Sequence, residues 1–296
     1  MTAPTVSVVI TTKNEERNIP NVVAACKEQT YAVSEIIVID NHSTDRTCEI
    51  AEELGAIVRT YGPERSAQRN YGIIQVATGD IVLFLDADMT PTASVVEMCV
   101  KTLTPDVIAL HIDEYILGSS RFARIRRFER SFYSGTVIDG VRCFRRKDFV
   151  SVGGFDETLP PGPEDWDLDL RFAQTGVLTS VTNRGGQMGP TATLVATATS
   201  SKVPAGYVGV LHNESRLTLS EYVRKKRYYT PGLRAYSSKW GQAHPIVKKQ
   251  LSPTYRLFTV FLEHEKYRTI LRHPLLTIGM MTLRAVIAMM FLRNRR

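Results

Sequence analysis

Asp86 and Asp88 follow directly on the apolar run Ile81–Leu85, giving two carboxylates at i and i+2 where a hydrophobic segment ends. A run of that length with no polar interruption reads as a strand buried on both faces, as in the interior of a parallel sheet. Ligands of open α/β sheets bind in the crevice beyond the carboxyl ends of the strands. Paired carboxylates there suit a hard divalent cation, which in turn can hold a diphosphate. Aspartate is also common in plain turns, so the neighbouring elements must decide.

Those elements alternate. The segment Thr5–Thr12 (TVSVVITT) reads as a first strand, followed by a helix with Ile19, Val22, Val23 and Cys26 at i, i+3, i+4 and i+7. A second buried strand, Glu35–Ile39, ends at Asp40, and Ser43, Thr44 and Asp45 are candidate N-caps for the next helix. That helix carries Thr47, Ile50, Ala51 and Leu54 on one face and stops at Gly55. A short strand near Ala56–Arg59 and a helix from about Ser66 to Ala77 lead into the aspartate-terminated strand. Alternation of this kind implies right-handed crossovers and a mostly parallel, Rossmann-like α/β sheet flanked by helices. Asp40, Asp86 and Asp88 then converge on one rim. The chain contains neither G-x-G-x-x-G after the first strand nor a P-loop, so neither glycine-rich phosphate cradle is available. The first loop, KNEERN, is polar and lacks glycine. A diphosphate on this rim would need a cation on the aspartates, helped by basic side chains.

The order VSVVITTKNEERNIP, IIVIDNHSTD, RSAQRNYGIIQVATGDIVLFLDAD and PEDWDLDLR closely resembles the family 2 glycosyltransferases, enzymes of the GT-A fold. The resemblance covers residues 5–176 closely and continues more loosely to about residue 230. It implies that Asp40 and Asp86 contact the nucleoside of a nucleotide-sugar donor. Asp88 would hold Mn²⁺ or Mg²⁺, with Asp86 beside it. It places Glu164 and Asp165 at the acceptor-side base, Arg69 at the donor, and Gly140 where backbone approaches the donor sugar. Asn41-His42 departs from the Asp-Gly of many members. The family often has a further metal ligand near the end of the strand-like run Gly206–Leu211, which here is His212, although a lone histidine at a strand end is commonly a capping residue. The following run Tyr222–Tyr229 puts Arg224, Lys225, Lys226 and Arg227 on a helix. Such a run is often a solvated face; Arg227 is the candidate to reach the diphosphate or an anionic acceptor.

The chemistry these residues suit is glycosyl transfer with inversion. A sugar hydroxyl is a poor nucleophile, so a positioned carboxylate, assigned to Asp165, must take its proton as it attacks. The diphosphate leaving group develops charge that a divalent cation offsets. Glu164 and Asp165 also suit a helix first turn, since acidic residues favour that end.

Length and charge add an appendage to this domain. At 296 residues the chain accommodates one large α/β domain, expected over 1–230, and a helical extension over 231–296. The cysteines at 26, 48, 99 and 143 show no paired spacing, which fits a reducing cytoplasm. The first strand begins almost at once, so no signal peptide is expected. The small, uncharged stretch Gly189–Ser201 reads as a flexible loop or excursion. Residues 217–296 hold 16 Lys/Arg against 3 Asp/Glu, whereas the first 216 hold 21 against 27. A basic third of this kind suits nucleic acid or an anionic membrane surface. The segment Leu275–Leu292 favours the membrane: it has one charge, Arg284, and is closed by RNRR. Arg284 would cost roughly 2.5–3.5 kcal/mol at mid-bilayer, so the helix is expected to lie in the interface with its Thr277–Arg284 face on headgroups. A docked core or dimerisation helix is the alternative.

The expectation is therefore a metal-dependent enzyme, peripheral on the cytoplasmic side of the cell membrane and not binding nucleic acid. It would transfer a sugar from a UDP- or GDP-sugar to a lipid-linked saccharide or cell-surface glycan. A polyprenyl-phosphate sugar transferase differs from this only in acceptor. A sugar nucleotidyltransferase would require a glycine-rich basic first loop. A basic binding module without catalysis would have no use for Asp88 or Asp165.

Overall fold

The computed structural model describes residues 3–181 and 184–293; the last three residues of the RNRR close lie outside that range. The strands are β1 (Val6–Thr12), β2 (Glu35–Asp40), β3 (Ile57–Thr60), β4 (Ile81–Asp86), β5 (Met89–Pro91), β6 (Val107–His111), β7 (Glu114–Ile116), β8 (Val141–Arg145), β9 (Val177–Ser180) and β10 (Val210–His212). The helices of the first half are α1 (Ile19–Lys27), α2 (Thr47–Glu53), α3 (Arg65–Asn70), α4 (Val95–Thr102), α5 (Arg121–Arg130) and α6 (Arg146–Ser151). They are followed by α7 (Glu164–Phe172), α8 (Pro190–Ala198), α9 (Leu219–Tyr228), α10 (Thr230–Trp240), α11 (Pro245–Leu251), α12 (Pro253–Leu257), α13 (Tyr267–Arg272) and α14 (Pro274–Arg293). The expected domain boundary at residue 230 falls at the start of α10.

The main sheet has the order β3-β2-β1-β4-β8-β6-β9, parallel except for β8, which runs against both neighbours. A small sheet, β5-β10-β7, stands beside it. The central strands are apolar on both faces, as a sheet covered on both sides requires. Val8, Ile10, Val38 and Leu83 pack on one side with Val22, Val23 and Cys26 of α1. Val9, Ile37, Ile39 and Phe84 pack on the other with Phe144, Phe149 and Phe172. Gly55 after α2 takes φ +74, the left-handed conformation that ends a helix most cheaply with glycine. The helix expected over residues 66–77 begins as α3 and continues as a π-helical turn, Tyr71–Val76.

Two expectations change. The stretch Gly189–Ser201 is not a loop: it contains α8. Pro190 occupies the first helical position, where its missing N–H costs nothing. Glu28 caps that end by accepting the Thr191 N–H at 2.8 Å. Ala192, Val195 and Ala196, at i, i+3 and i+4, pack with Leu117 and Leu211.

The second change concerns α14. It docks on α5 and α9, with Met280, Leu283, Ile287 and Met290 turned inward. Arg284 points the same way and meets the buried Glu129 at 2.7 Å. A carboxylate held at 1% exposure requires a cation, so the Arg284 face serves the protein interior rather than headgroups. The outer face carries Leu275, Ile278 and Met289, which are 84%, 63% and 56% exposed. No helix among the described residues is long and apolar enough to cross a membrane.

One buried pair ties three elements of the domain together. His111 of β6 lies 3.0 Å from Asp169 of α7, which also accepts the Val141 N–H of β8 at 3.0 Å. Burial opposes charge on the ring, but Asp169 overrides it and lifts His111 to about 9. A histidine raised above its ordinary 6.5 contributes stability that is complete below pH 6.5 and lost as pH climbs through 9. The wild type should therefore exceed His111→Gln in unfolding free energy by a margin that shrinks by about 2–3 kcal/mol across that window. Urea titrations at pH 6 and pH 9.5 measure it; a margin constant with pH would contradict the pairing.

Candidate active site

The sheet register brings the expected carboxylates to one rim. In β1, Thr12 lies opposite Asp40 of β2, and Thr11 lies opposite Asp86 of β4. The Thr11 hydroxyl also reaches Asp86 at 3.2 Å. Asp88 follows one turn later, and β10 pairs with β5 so that His212 stands opposite Met89. This register, together with an Asn213 N–H donated to the Asp88 carbonyl at 2.8 Å, seats the imidazole against the Asp88 side chain. Their Oδ2 and Nε2 atoms are 3.2 Å apart.

A cavity of about 280 Å³ opens over this rim, lined by Thr11–Lys13, Glu15, Arg65, Gln68, Asp86, Asp88, His212 and Lys225. Of the basic run on α9, Lys225 reaches this lining and Arg227 does not. Two residues along a helix turn the side chain to the far side, and Arg227 is exposed outside the lining. Asp40 is 1% exposed, and its oxygens accept from the Ser43 hydroxyl and N–H. It thereby holds the loop after β2. A larger cavity, about 570 Å³, lies on the other side of α3 and includes none of the expected site residues.

Arg69 joins this rim to the α7 carboxylates. At 1% exposure its guanidinium lies 2.9 Å from Asp86, 3.0 Å from Asp165 and 3.8 Å from Glu164. The faces of Phe84 and Phe155 hold it at 4.8 and 5.2 Å. Arg65, one turn earlier on α3, pairs with Glu164. The two α7 acids differ in access: the Asp165 side chain is 27% exposed and that of Glu164 is 0%. Glu164 also accepts the Gly162 N–H at 2.6 Å. It anchors the helix end, while Asp165 faces outward. Gly140 lies directly under Asp165, where a Cβ would come within 2.8 Å of the Asp165 Cβ.

These surroundings separate the carboxylates by protonation. Burial resists ionisation of Asp86, but Arg69, Arg142 and Arg65 hold it well below the ordinary range. Asp88 is also lowered, by His212 against burial. Burial raises Asp165 above its usual value against the pull of Arg69, and Glu164 adds to the rise. A raised carboxyl on the open side suits a base, and permanently ionised ones suit a cation. Burial opposes charge on His212, yet Asp88 and Glu114 lift it to about 10.

The donor set fits one hard cation. No group of three potential ligands stands ready among the described residues. Mg²⁺ and Mn²⁺ sites are commonly completed by substrate phosphates and water, with only one or two protein ligands. Asp88 and His212 supply a carboxylate and an imidazole. Glu114 sits 3.5 Å from the other ring nitrogen, the arrangement that orients a ligating histidine. A cation bound there would take the place of the proton that His212 and Asp88 share. Arg65 and Glu15 were not singled out by the sequence, and Lys225 only as one member of the basic run Arg224–Arg227. Arg65 had a signal there, its i, i+4 spacing from Arg69; Glu15 comes from a loop that offered none.

Comparison with known proteins agrees with this geometry. The glycosyl transferase family 2 model matches residues 7–154, half of the chain. Glycosyltransferase AglE of Haloferax volcanii is 33% identical over 180 residues, 54% of this chain and 59% of AglE. The chain thus spans about three fifths of that relative's length. An undecaprenyl-phosphate 4-deoxy-4-formamido-L-arabinose transferase of Pectobacterium carotovorum is 37% identical over 28% of this chain and 29% of its own. A mannosyltransferase of Pyrobaculum calidifontis, solved with GDP-Man and Mn²⁺, shares the fold. Its TM-score is 0.60 at 17% identity, covering 99% of this chain and 87% of that one. With four motifs in order on a mostly parallel sheet, and a family match over half its length, this chain belongs to glycosyl transferase family 2 and has the GT-A fold.

Proposed function

We propose that the enzyme is a metal-dependent, inverting glycosyltransferase that moves a sugar from a UDP- or GDP-sugar to a lipid-linked saccharide or cell-surface glycan. The observation that carries this reading is Arg69, which fixes Asp86 at the donor rim and Asp165 on the acceptor side with one guanidinium. Asp88 and His212 would hold Mn²⁺ or Mg²⁺, which when bound offsets the charge developing on the leaving diphosphate. Lys225 and Arg65, in the same cavity, add positive charge for the phosphates. Asp165 takes the acceptor proton from the side opposite the diphosphate, and displacement from that side inverts the anomeric centre. The Pyrobaculum mannosyltransferase holding GDP-Man with Mn²⁺ and the undecaprenyl-phosphate relative support the donor and acceptor classes.

The reading extends to the membrane surface. The outer stripe of α14, with Leu275, Ile278 and Met289, is apolar and uncovered, and the C-terminal third is strongly basic. That combination suits peripheral contact with an anionic leaflet, here the cytoplasmic side. It brings the active site to a lipid-borne acceptor.

A thermal-shift screen of UDP-, GDP- and dTDP-sugars with and without Mn²⁺ tests the donor. Binding to the folded state raises Tm, so one sugar nucleotide should do so only with the metal. Indifference of the wild type to every donor in Mn²⁺ would overturn the reading.

A further inference from the structure

The larger cavity, on the far side of α3 from the Asp86–Asp88 rim, holds about 570 Å³, inside the roughly 300–1,000 Å³ range of ligand pockets. α3 and the turn after it serve two faces at once. Arg65 and Arg69 turn to the carboxylates of the active site. Ala67, Asn70, Tyr71 and Ile74, at i, i+3, i+4 and i+7, turn to the cavity. The turn Tyr71–Val76 is π-helical, a form that recurs at functional sites, and it adds Gln75 to the lining.

The wall specifies the chemistry of a ligand. Tyr61 and Tyr71 stack with ring centroids 4.4 Å apart and planes 3° from parallel. Both line the cavity and Tyr61 is 40% exposed, so the pair offers a flat aromatic platform. The charged groups beside it are already matched. Lys239 is shared by Asp156 and Asp167 at 2.7 and 2.6 Å, and Arg171 lies 2.8 Å from Asp167. Glu157 accepts the Asn70 amide at 2.7 Å. An anion would find carboxylates holding the cations it needs, and like charges brought together oppose binding. A sugar ring suits every part of this wall. Its weakly positive C–H groups lie on the negative face of an aromatic ring, and its hydroxyls both donate to carboxylates and accept from amides.

We infer that this cavity is a second binding site, for a neutral saccharide, with Tyr61 and Tyr71 as its platform and Asp156, Glu157 and Gln75 as partners for the hydroxyls. It goes beyond the glycosyl-transfer reading, since none of Asp86, Asp88, Glu164 and Asp165 lines it. Asn70 connects the two sides. It donates to the Phe155 carbonyl at 2.9 Å and accepts the Phe155 N–H at 2.8 Å, and the Phe155 ring lies 5.2 Å from the Arg69 guanidinium. A saccharide in the cavity packs against the same Asn70 that fixes the seat of Arg69.

Saturation-transfer NMR and calorimetric titration of the full chain test the site with mannobiose, cellobiose and N,N′-diacetylchitobiose. Glucose 6-phosphate and adenosine represent the anionic and the flat aromatic alternatives. At least one disaccharide should bind with Kd below about 10 mM. Y61A and E157A should each weaken that binding about tenfold with Tm unchanged, Y61F should keep most of it, and D165N should not alter it. Unchanged affinity in both Y61A and E157A would overturn the inference, and so would binding lost in D165N, which places the sugar in the active site. Tighter binding of glucose 6-phosphate or adenosine than of every disaccharide would also overturn it, as would no disaccharide binding at about 10 mM. Failure of every sugar nucleotide to bind in Mn²⁺ would instead count against glycosyl transfer and leave the saccharide result standing.

Discussion

Asp165→Asn should lower kcat by about 10²–10⁴, the usual range for removing a general base, while leaving metal-dependent donor binding within a few-fold of wild type. The amide keeps the shape and most hydrogen bonds of the carboxylate but cannot accept the acceptor's proton. The donor side does not depend on it, because Asp86 is held by Arg69, Arg142 and Arg65 and Asp88 is held by His212. Position marks Asp165 rather than Glu164 for the role, since only Asp165 exposes its side chain, at 27% against 0%. Only glycine fits underneath it at position 140, where a Cβ would come within 2.8 Å of the Asp165 Cβ. Single-turnover assays with a saturating sugar nucleotide, beside a donor titration, separate the two effects. Normal turnover by Asp165→Asn would remove it from the base role.

Much of the frame was legible because it is written locally. The run Ile81–Leu85 with its following aspartates predicts a buried strand ending at a rim, and β4 is that strand. The i, i+3, i+4, i+7 spacing of α1 predicts its buried face, and all four residues are buried. What escaped was written between distant segments. In α8 the packed residues are alanines and one valine among threonines, a face too small to stand out from a polar loop. Arg284, the one charge of Leu275–Leu292, looked like a reason to stay at a membrane interface. Its partner Glu129 comes from α5, and no periodicity within α14 could announce that pairing. At the site, Lys225 and Arg227 belong to one basic run that gives neither a preference. Only the angle at which α9 meets the donor cavity chooses between them.

Arg69→Gln should combine the largest loss of stability with a shift in the pH profile. The wild-type guanidinium is 1% exposed and stands between three carboxylates, 2.9 Å from Asp86, 3.0 Å from Asp165 and 3.8 Å from Glu164. Removing one partner from a buried charge cluster strands the others, at a cost of about 3–5 kcal/mol. Arg65 and Arg142 remain, which places the expected loss toward the lower end of that range. The effect on Asp165 has a definite sign. Burial already raises its carboxyl, and Arg69 is the principal force pulling it down. Without Arg69 the base should protonate at higher pH, moving the acid limb of kcat/KM upward. Arg69→Lys should recover only part of both properties, because one ammonium cannot bridge two carboxylates as a planar fork does. Urea unfolding measures the first effect, and pH–rate profiles of whatever activity remains measure the second. A loss below 1 kcal/mol with an unmoved acid limb would mean that Arg69 neither braces the cluster nor tunes the base.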